Sequence, residues 1–104
     1  MLIVTTETIA GQTIGETLGL VRGATVRAKH VGTDIVASLK SFVGGEISGY
    51  SSLMAGAREQ AIDRMIEEAR GIGADAIVCV RLETATIADG TAEIVAYGTA
   101  IRFA

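Results

Sequence analysis

Two alternating runs separated by Asp89-Gly90 constrain this chain more than any other feature. In the run from Ala76 to Ile87, Ala76, Val78, Val80, Leu82 and Thr84 take one parity. Ile77, Cys79, Arg81 and Glu83 take the other. From Ala92 to Phe103, Ile94, Ala96, Gly98 and Ala100 oppose Val95, Tyr97, Thr99, Ile101 and Phe103. Alternation of period two reads as strand, and Asp-Gly between two such runs reads as a tight turn. The reading is an antiparallel hairpin. Both of its sides carry apolar groups, so both sheet faces need cover. One helical layer supplies the first cover, and the second is expected from another subunit.

The rest of the chain fits around that hairpin. Leu2 to Thr6 is a short β-prone run and predicts a first strand. The glycine- and threonine-rich stretch to Thr17 reads as an irregular crossing. Leu18 to Lys29 predicts a long strand, with Leu18, Leu20, Ala24, Val26 and Ala28 on one parity and Arg22 interrupting it. A bulge is expected near Gly23. Gly32-Thr33-Asp34 stops the strand and caps a helix, since Thr33 can accept a hydrogen bond from an unpaired N–H. Ile35, Val36, Leu39, Phe42 and Val43 then form one helical stripe.

Gly44-Gly45 ends that helix, and the stretch to Tyr50 reads as a turn. A second, longer helix is expected from about Ser51 to Ile72. Leu53, Ala57, Ala61 and Met65 form one line, widened by Met54, Ile62, Ile66 and Ala69. Its small residues permit close backbone approach, and Arg64–Glu68 is an i,i+4 pair. The element order is β-β-α-α-β-β: an α+β fold with a largely antiparallel sheet packed by two helices.

Composition bears on what covers the remaining apolar surface. The 104 residues predict a single domain, residues 1–104. Hydrophobic residues make up 49% and charged residues only 20%, more apolar surface than a small monomer can hide. A homo-oligomer is the expectation. Nine Lys/Arg stand against twelve Asp/Glu, with no basic run and only four aromatics. Nucleic-acid binding lacks both its electrostatic footprint and its stacking residues. Met1 to Glu7 lacks the charged and apolar regions of a signal peptide, and no apolar run is long enough to span a membrane. One cysteine suits a reducing, cytoplasmic setting.

Several short motifs occur in a specific order. They are Gly11-Gln12-Thr13-Ile14, Val43-Gly44-Gly45 followed by Gly49-Tyr50, Ala57-Arg58-Glu59, Gly73-Ala74-Asp75-Ala76-Ile77-Val78 and Tyr97-Gly98-Thr99-Ala100. In this order and over nearly the whole chain they resemble the YbjQ-like bacterial and archaeal family, which is labelled for heavy-metal binding. The resemblance implies a dodecin-like two-layer subunit assembled into a ring, a homopentamer. It implies no established reaction.

Each candidate site residue also has an ordinary structural role. A soft-metal site needs convergent thiolates and imidazoles. This chain has one of each, Cys79 and His30, so a metal would need ligands shared between subunits. Cys79 is otherwise a small strand filler, and His30 a polar strand end. The segment Gly44, Gly45, Ser48, Tyr50 and Ser51 offers glycines, hydroxyls and a helix N-terminus to an anion. It reads first as a helix–helix turn whose glycines serve tight chain reversal, or as a subunit junction to which Arg58 contributes an ion pair. Asp75 is placed to bond backbone N–H groups. No nucleophile, base and orienting group assemble in the sequence, so no catalytic residue is assigned. The expectation is a non-enzymatic oligomeric binding or scaffold protein whose partner is itself. The alternatives are a metal-binding protein with shared ligands and a ring that binds a small molecule or anion. The cofactor is unassigned, with a metal ion the one candidate.

Overall fold

The computed structural model describes residues 1–28, 45–88 and 91–104. They form β1 (Leu2–Ile3), β2 (Ile14–Ala28), α1 (Gly45–Gly71), β3 (Ala76–Ala88) and β4 (Thr91–Phe103). The sheet order is β1-β3-β4-β2. β2 and β3 flank β4 antiparallel, whereas β1 pairs with β3 in parallel. The sheet is therefore mixed, not antiparallel throughout. The cause is topological: α1 connects the two halves, so the chain returns to β3 running in the direction of β1.

The described order is β-β-α-β-β, with one helix. The expected first helix over 33–43 and the Asp89-Gly90 turn lie outside the described residues. β2 begins at Ile14, four residues before the expected start at Leu18, so the last four residues of the supposed crossing are strand. The first strand is shorter than expected, yet the segment after it stays hydrogen-bonded beside β3. Val4 N–H donates to the Ile77 carbonyl at 2.9 Å, and Val80 N–H to the Val4 carbonyl at 2.9 Å.

The helix line read from the sequence is the buried one. Ala57, Ala61, Met65 and Ala69 are all fully buried, and Met54, Ile62 and Ile66 flank them half-buried. They pack on Val21, Ile77, Val80, Ile94, Ala96 and Ala100. α1 lies mainly across β2 and β4 and barely reaches β3. Gly23 is the point of closest approach. A Cβ there would fall 2.2 Å from the Ala61 carbonyl oxygen and 2.3 Å from the Met65 nitrogen. Gly23 pairs regularly with Ala96, so the bulge expected at Gly23 is absent; this glycine makes room for a helix backbone. The shifts in β2 fall earlier, between Ile14 and Glu16 and between Thr17 and Gly19.

β3 also departs from simple alternation. Val78 faces Thr99 and Arg81 faces Tyr97, so β3 carries one extra residue there. Cys79 takes a left-handed conformation (φ 56) within this bulge. The bulge reverses parity: Ile77 and Val80 both join the helix-side core, while Ala76 and Val78 face the other way with Ile101. Val80 thus parts from Ala76 and Val78, whose parity it shares in the sequence.

α1 ends in a Schellman motif. Gly73 N–H donates to the Arg70 carbonyl at 3.0 Å, and Ala74 N–H to the Ala69 carbonyl at 3.0 Å. Gly73 itself has φ 76, which glycine adopts without a Cβ penalty. Arg64 does not pair with Glu68; its guanidinium donates to the Ala24 carbonyl at 2.6 Å, tying helix to strand.

Two outcomes follow from this packing. Gly23→Ala forces helix and strand apart and is expected to destabilise the fold by about 3 kcal/mol or more, the upper range for overpacking. Denaturant midpoints measure this, and an unchanged midpoint would contradict the backbone contact. Thr25 is buried against the helix, and its hydroxyl has no hydrogen-bond partner among the described residues. Thr25→Val removes that unpaired hydroxyl at nearly constant volume and is expected to raise stability by about 1 kcal/mol, read as a higher melting temperature.

Candidate functional site

Among the described residues, the sequence candidates do not gather at one site. His30 and Gly44 lie outside the described residues. Gly45, Ser48, Tyr50 and Ser51 are positions of α1, which begins at Gly45 and not at Ser51. The serines are therefore not at the first turn of a helix that starts at Ser51. Glycine costs a helix only about 1 kcal/mol per residue relative to alanine, too little to stop this one. The stretch from Gly45 to Tyr50 is a helical segment, not a helix–helix turn. Arg58 is exposed on α1.

Cys79 is half-buried at the β3 bulge, where its N–H donates to the Thr6 carbonyl at 3.0 Å. Its neighbours are apolar: the small cluster of Ala76, Val78 and Ile101, bordered by Val4, Ile9, Ile14 and Phe103. That is the strand-filling role weighed in the sequence. Among the described residues, no group of three or more His, Cys, Asp or Glu side chains is placed to hold a metal ion.

Asp75 does bond the backbone: its Oδ2 accepts from Phe103 N–H at 2.9 Å. Beside it stands a residue that the sequence reading did not single out. Arg102 donates from Nε to the Gly73 carbonyl at 3.0 Å, and its guanidinium also reaches the Ile72 carbonyl and Glu16. A cation over the last carbonyls of a helix complements the helix dipole. The Arg102–Glu16 pair is solvent-exposed and contributes at most about 1 kcal/mol. This cluster is an architectural clamp. An exposed arginine near the end of β4 carries no local signal for it.

What the structure does assemble is a surface. Among the described residues, the sheet face away from α1 is covered at one end by the segment from Val4 to Ile14 and lies open beyond it. Strand register places its residues in rows. Leu20 stands beside Thr99. Arg22, Tyr97 and Arg81 form the next row, followed by Ala24, Val95 and Glu83. Val26, Glu93 and Ala85 form the fourth. Leu20 is 63% exposed and Val26 50%. These are the positions read from the sequence as the apolar face of β2. They face away from the helix because Val21, Gly23 and Thr25 take the helix side.

Tyr97 sits at the centre of this surface. Its hydroxyl donates to Glu83 Oε1 at 3.2 Å. Loss of water around the half-buried ring, then the adjacent Glu83 carboxylate, raises the phenol's pKa above its ordinary 10.0, while Arg81 pulls the other way. Arg81 also donates to the Thr5 and Val80 carbonyls at 3.0 and 2.8 Å. The set can present two cations around an aromatic ring with carboxylates one and two rows along.

The whole chain, residues 1–104, matches the family model described as "Putative heavy-metal-binding", and the chain belongs to that family, the YbjQ-like family. A UPF0145 protein of Halorubrum lacusprofundi is 60% identical over 97 residues, covering 93% of each chain. A UPF0145 protein of Halobacterium salinarum is 53% identical over 104 residues, covering 100% of both. Among solved structures, a Pediococcus pentosaceus protein of unknown function, placed in the DUF74 family, superposes with a TM-score of 0.60. It is 17% identical, with 100% of this chain and 98% of that chain covered. That likeness concerns the fold alone.

Tyr97 gives a direct test of this surface. Because its folded pKa is raised, its contribution to stability is fully present below about pH 10 and is lost as pH rises through the folded value. Tyrosinate absorbance during alkaline titration, with Tyr97→Phe isolating this ring from Tyr50, should show the high ionisation. Glu83→Gln should lower it. An unchanged titration in that variant would mean that Glu83 does not act on the phenol.

Proposed function

We propose that the chain is a self-assembling, non-enzymatic binding or scaffold protein of the cytoplasm. One observation carries this reading: the sheet face away from α1 leaves Leu20 63% and Val26 50% exposed, with half-buried Tyr97 and Val95 in the two rows between them. Exposed large apolar side chains grouped on one face of a small domain are what subunit contacts cover. The Cα radius of gyration, 17.0 Å, also supports assembly; a compact chain of this length reaches about 13 Å. A homopentameric ring of dodecin-like subunits is the form that the family resemblance suggests. Among the described residues no helix is long and apolar enough to cross a membrane.

A second reading, metal binding through ligands shared between subunits, draws on the family description and on Cys79. One thiol per chain makes such a site a property of the assembly. An anion or small molecule held at a subunit junction would use the assembly in the same way.

Light scattering and native mass spectrometry at micromolar concentration are expected to find a homo-oligomer; a stable monomer would overturn the assembly reading. Elemental analysis after exposure of metal-free protein to zinc, copper and cadmium separates the second reading. Stoichiometric metal that is lost in Cys79→Ala or His30→Ala supports shared ligands. Metal that survives both substitutions, or no metal, removes that site.

A further inference from the structure

Arg22 and Arg81 stand on either side of Tyr97 in one row of the sheet face away from α1. β4 lies between β2 and β3, so two strand spacings of about 4.8 Å each separate the two arginine backbones. The chain carries twelve Asp/Glu against nine Lys/Arg, yet among the described residues neither arginine forms an ion pair. Glu83, the carboxylate one row along, accepts from the Tyr97 hydroxyl instead. Arg81 is tethered at one nitrogen only. Its Nη1 donates to the Thr5 carbonyl at 3.0 Å and to the Val80 carbonyl at 2.8 Å, which leaves Nε and Nη2 to other partners. Arg22 is exposed.

A subunit laid over this face strips water from both guanidinium groups. Neither can shed its proton, and a buried charge without a partner is strongly unfavourable. An anion has to meet them there. A guanidinium presents its donors as a planar fork that matches two oxygens of a carboxylate or a phosphate. One fork uses up both oxygens of a carboxylate. A phosphate group offers at least one oxygen more and close to two negative charges at neutral pH, so it can serve two arginines at once. The half-buried Tyr97 ring lies between the two strands that supply them.

We propose that the Arg22–Tyr97–Arg81 row binds a phosphate group at a subunit junction, with the two guanidinium groups as its donors. The inference rests on the reading of an anion held at such a junction, and it names the residues and the chemical class. Free phosphate and a phosphate ester share this chemistry. An aromatic ester gains in addition from contact with the Tyr97 ring.

The test uses the full chain dialysed free of phosphate. Isothermal titration calorimetry with inorganic phosphate and with phenyl phosphate gives the affinities, and far-ultraviolet circular dichroism confirms the fold of each variant. Both probes should bind the wild-type oligomer. Tighter binding of phenyl phosphate assigns the site to an ester, and equal affinities assign it to free phosphate. R22Q should weaken binding by about tenfold or more, and R22K, which keeps the charge but loses the fork, should fall between. E83Q removes a like charge one row away and should tighten binding. R70Q, which alters an exposed arginine of α1 paired with Glu67, should change nothing. A wild-type oligomer that binds neither probe overturns the phosphate site and leaves self-assembly standing. If R22Q also loosens that oligomer, a carboxylate of another subunit meets Arg22 in place of phosphate. Binding that survives both R22Q and R81Q, or that falls equally in R70Q, overturns the assignment to this row. A monomeric wild-type chain that binds phosphate through Arg22 overturns the junction and the assembly reading together.

Discussion

The fold depends on one place where two backbones touch. At Gly23 the edge strand β2 lets α1 approach until no side-chain atom can lie between them. The helix answers with Ala57, Ala61 and Ala69, which bury almost nothing individually but let the strand come close. Dispersion grows as the surfaces close, and a gap of even a fraction of an ångström forfeits much of it. Arg64 and Arg27 then reach from the two sides, to the Ala24 carbonyl and to Gln60, and fix the helix along the strand. The two-layer arrangement, and the choice of which sheet face stays open, both follow from this contact.

Much of this was legible in the residues. The helix line through Ala57, Ala61 and Met65 emerged from period 3.6 alone, because burial on one side of a helix leaves that mark. The hairpin strands emerged from period two. What the sequence misassigned has a common cause: glycine signals several backbone situations at once. At Gly23 a close approach looked like a bulge. At Gly45 and Gly49 helical positions looked like a turn. At Cys79 the real bulge carried no glycine at all, so nothing marked it. β1 could not be placed parallel to β3 by local pattern, since that pairing joins residues more than seventy positions apart.

The candidate site was less legible than the fold. Cys79 sits among apolar neighbours, and the glycine–serine stretch is helical. The surface that the structure builds draws its residues from three strands, and only register reveals the rows. The sequence did contain the underlying signal, apolar groups on both parities of the hairpin. It could not say which parity would meet the helix, because side-chain volume, not hydrophobicity, decided that. Gly23 and the small alanines set the helix on the side of Val21 and Thr25.

The extra residue in β3 has a bearing on recognition as well as on packing. Beyond the bulge, the strand shows Arg81 and Glu83 on the open side and turns Val80 and Leu82 toward the layer below. A β3 one residue shorter at this point would present valine and leucine outward and point the charged pair at the helix layer. The written order of residues downstream would be the same, yet the molecule would display a greasy surface where it now displays an address. A single inserted position thus acts as a phase shifter for the distal half of the strand. Length changes there would alter what the protein meets far more than what it folds into.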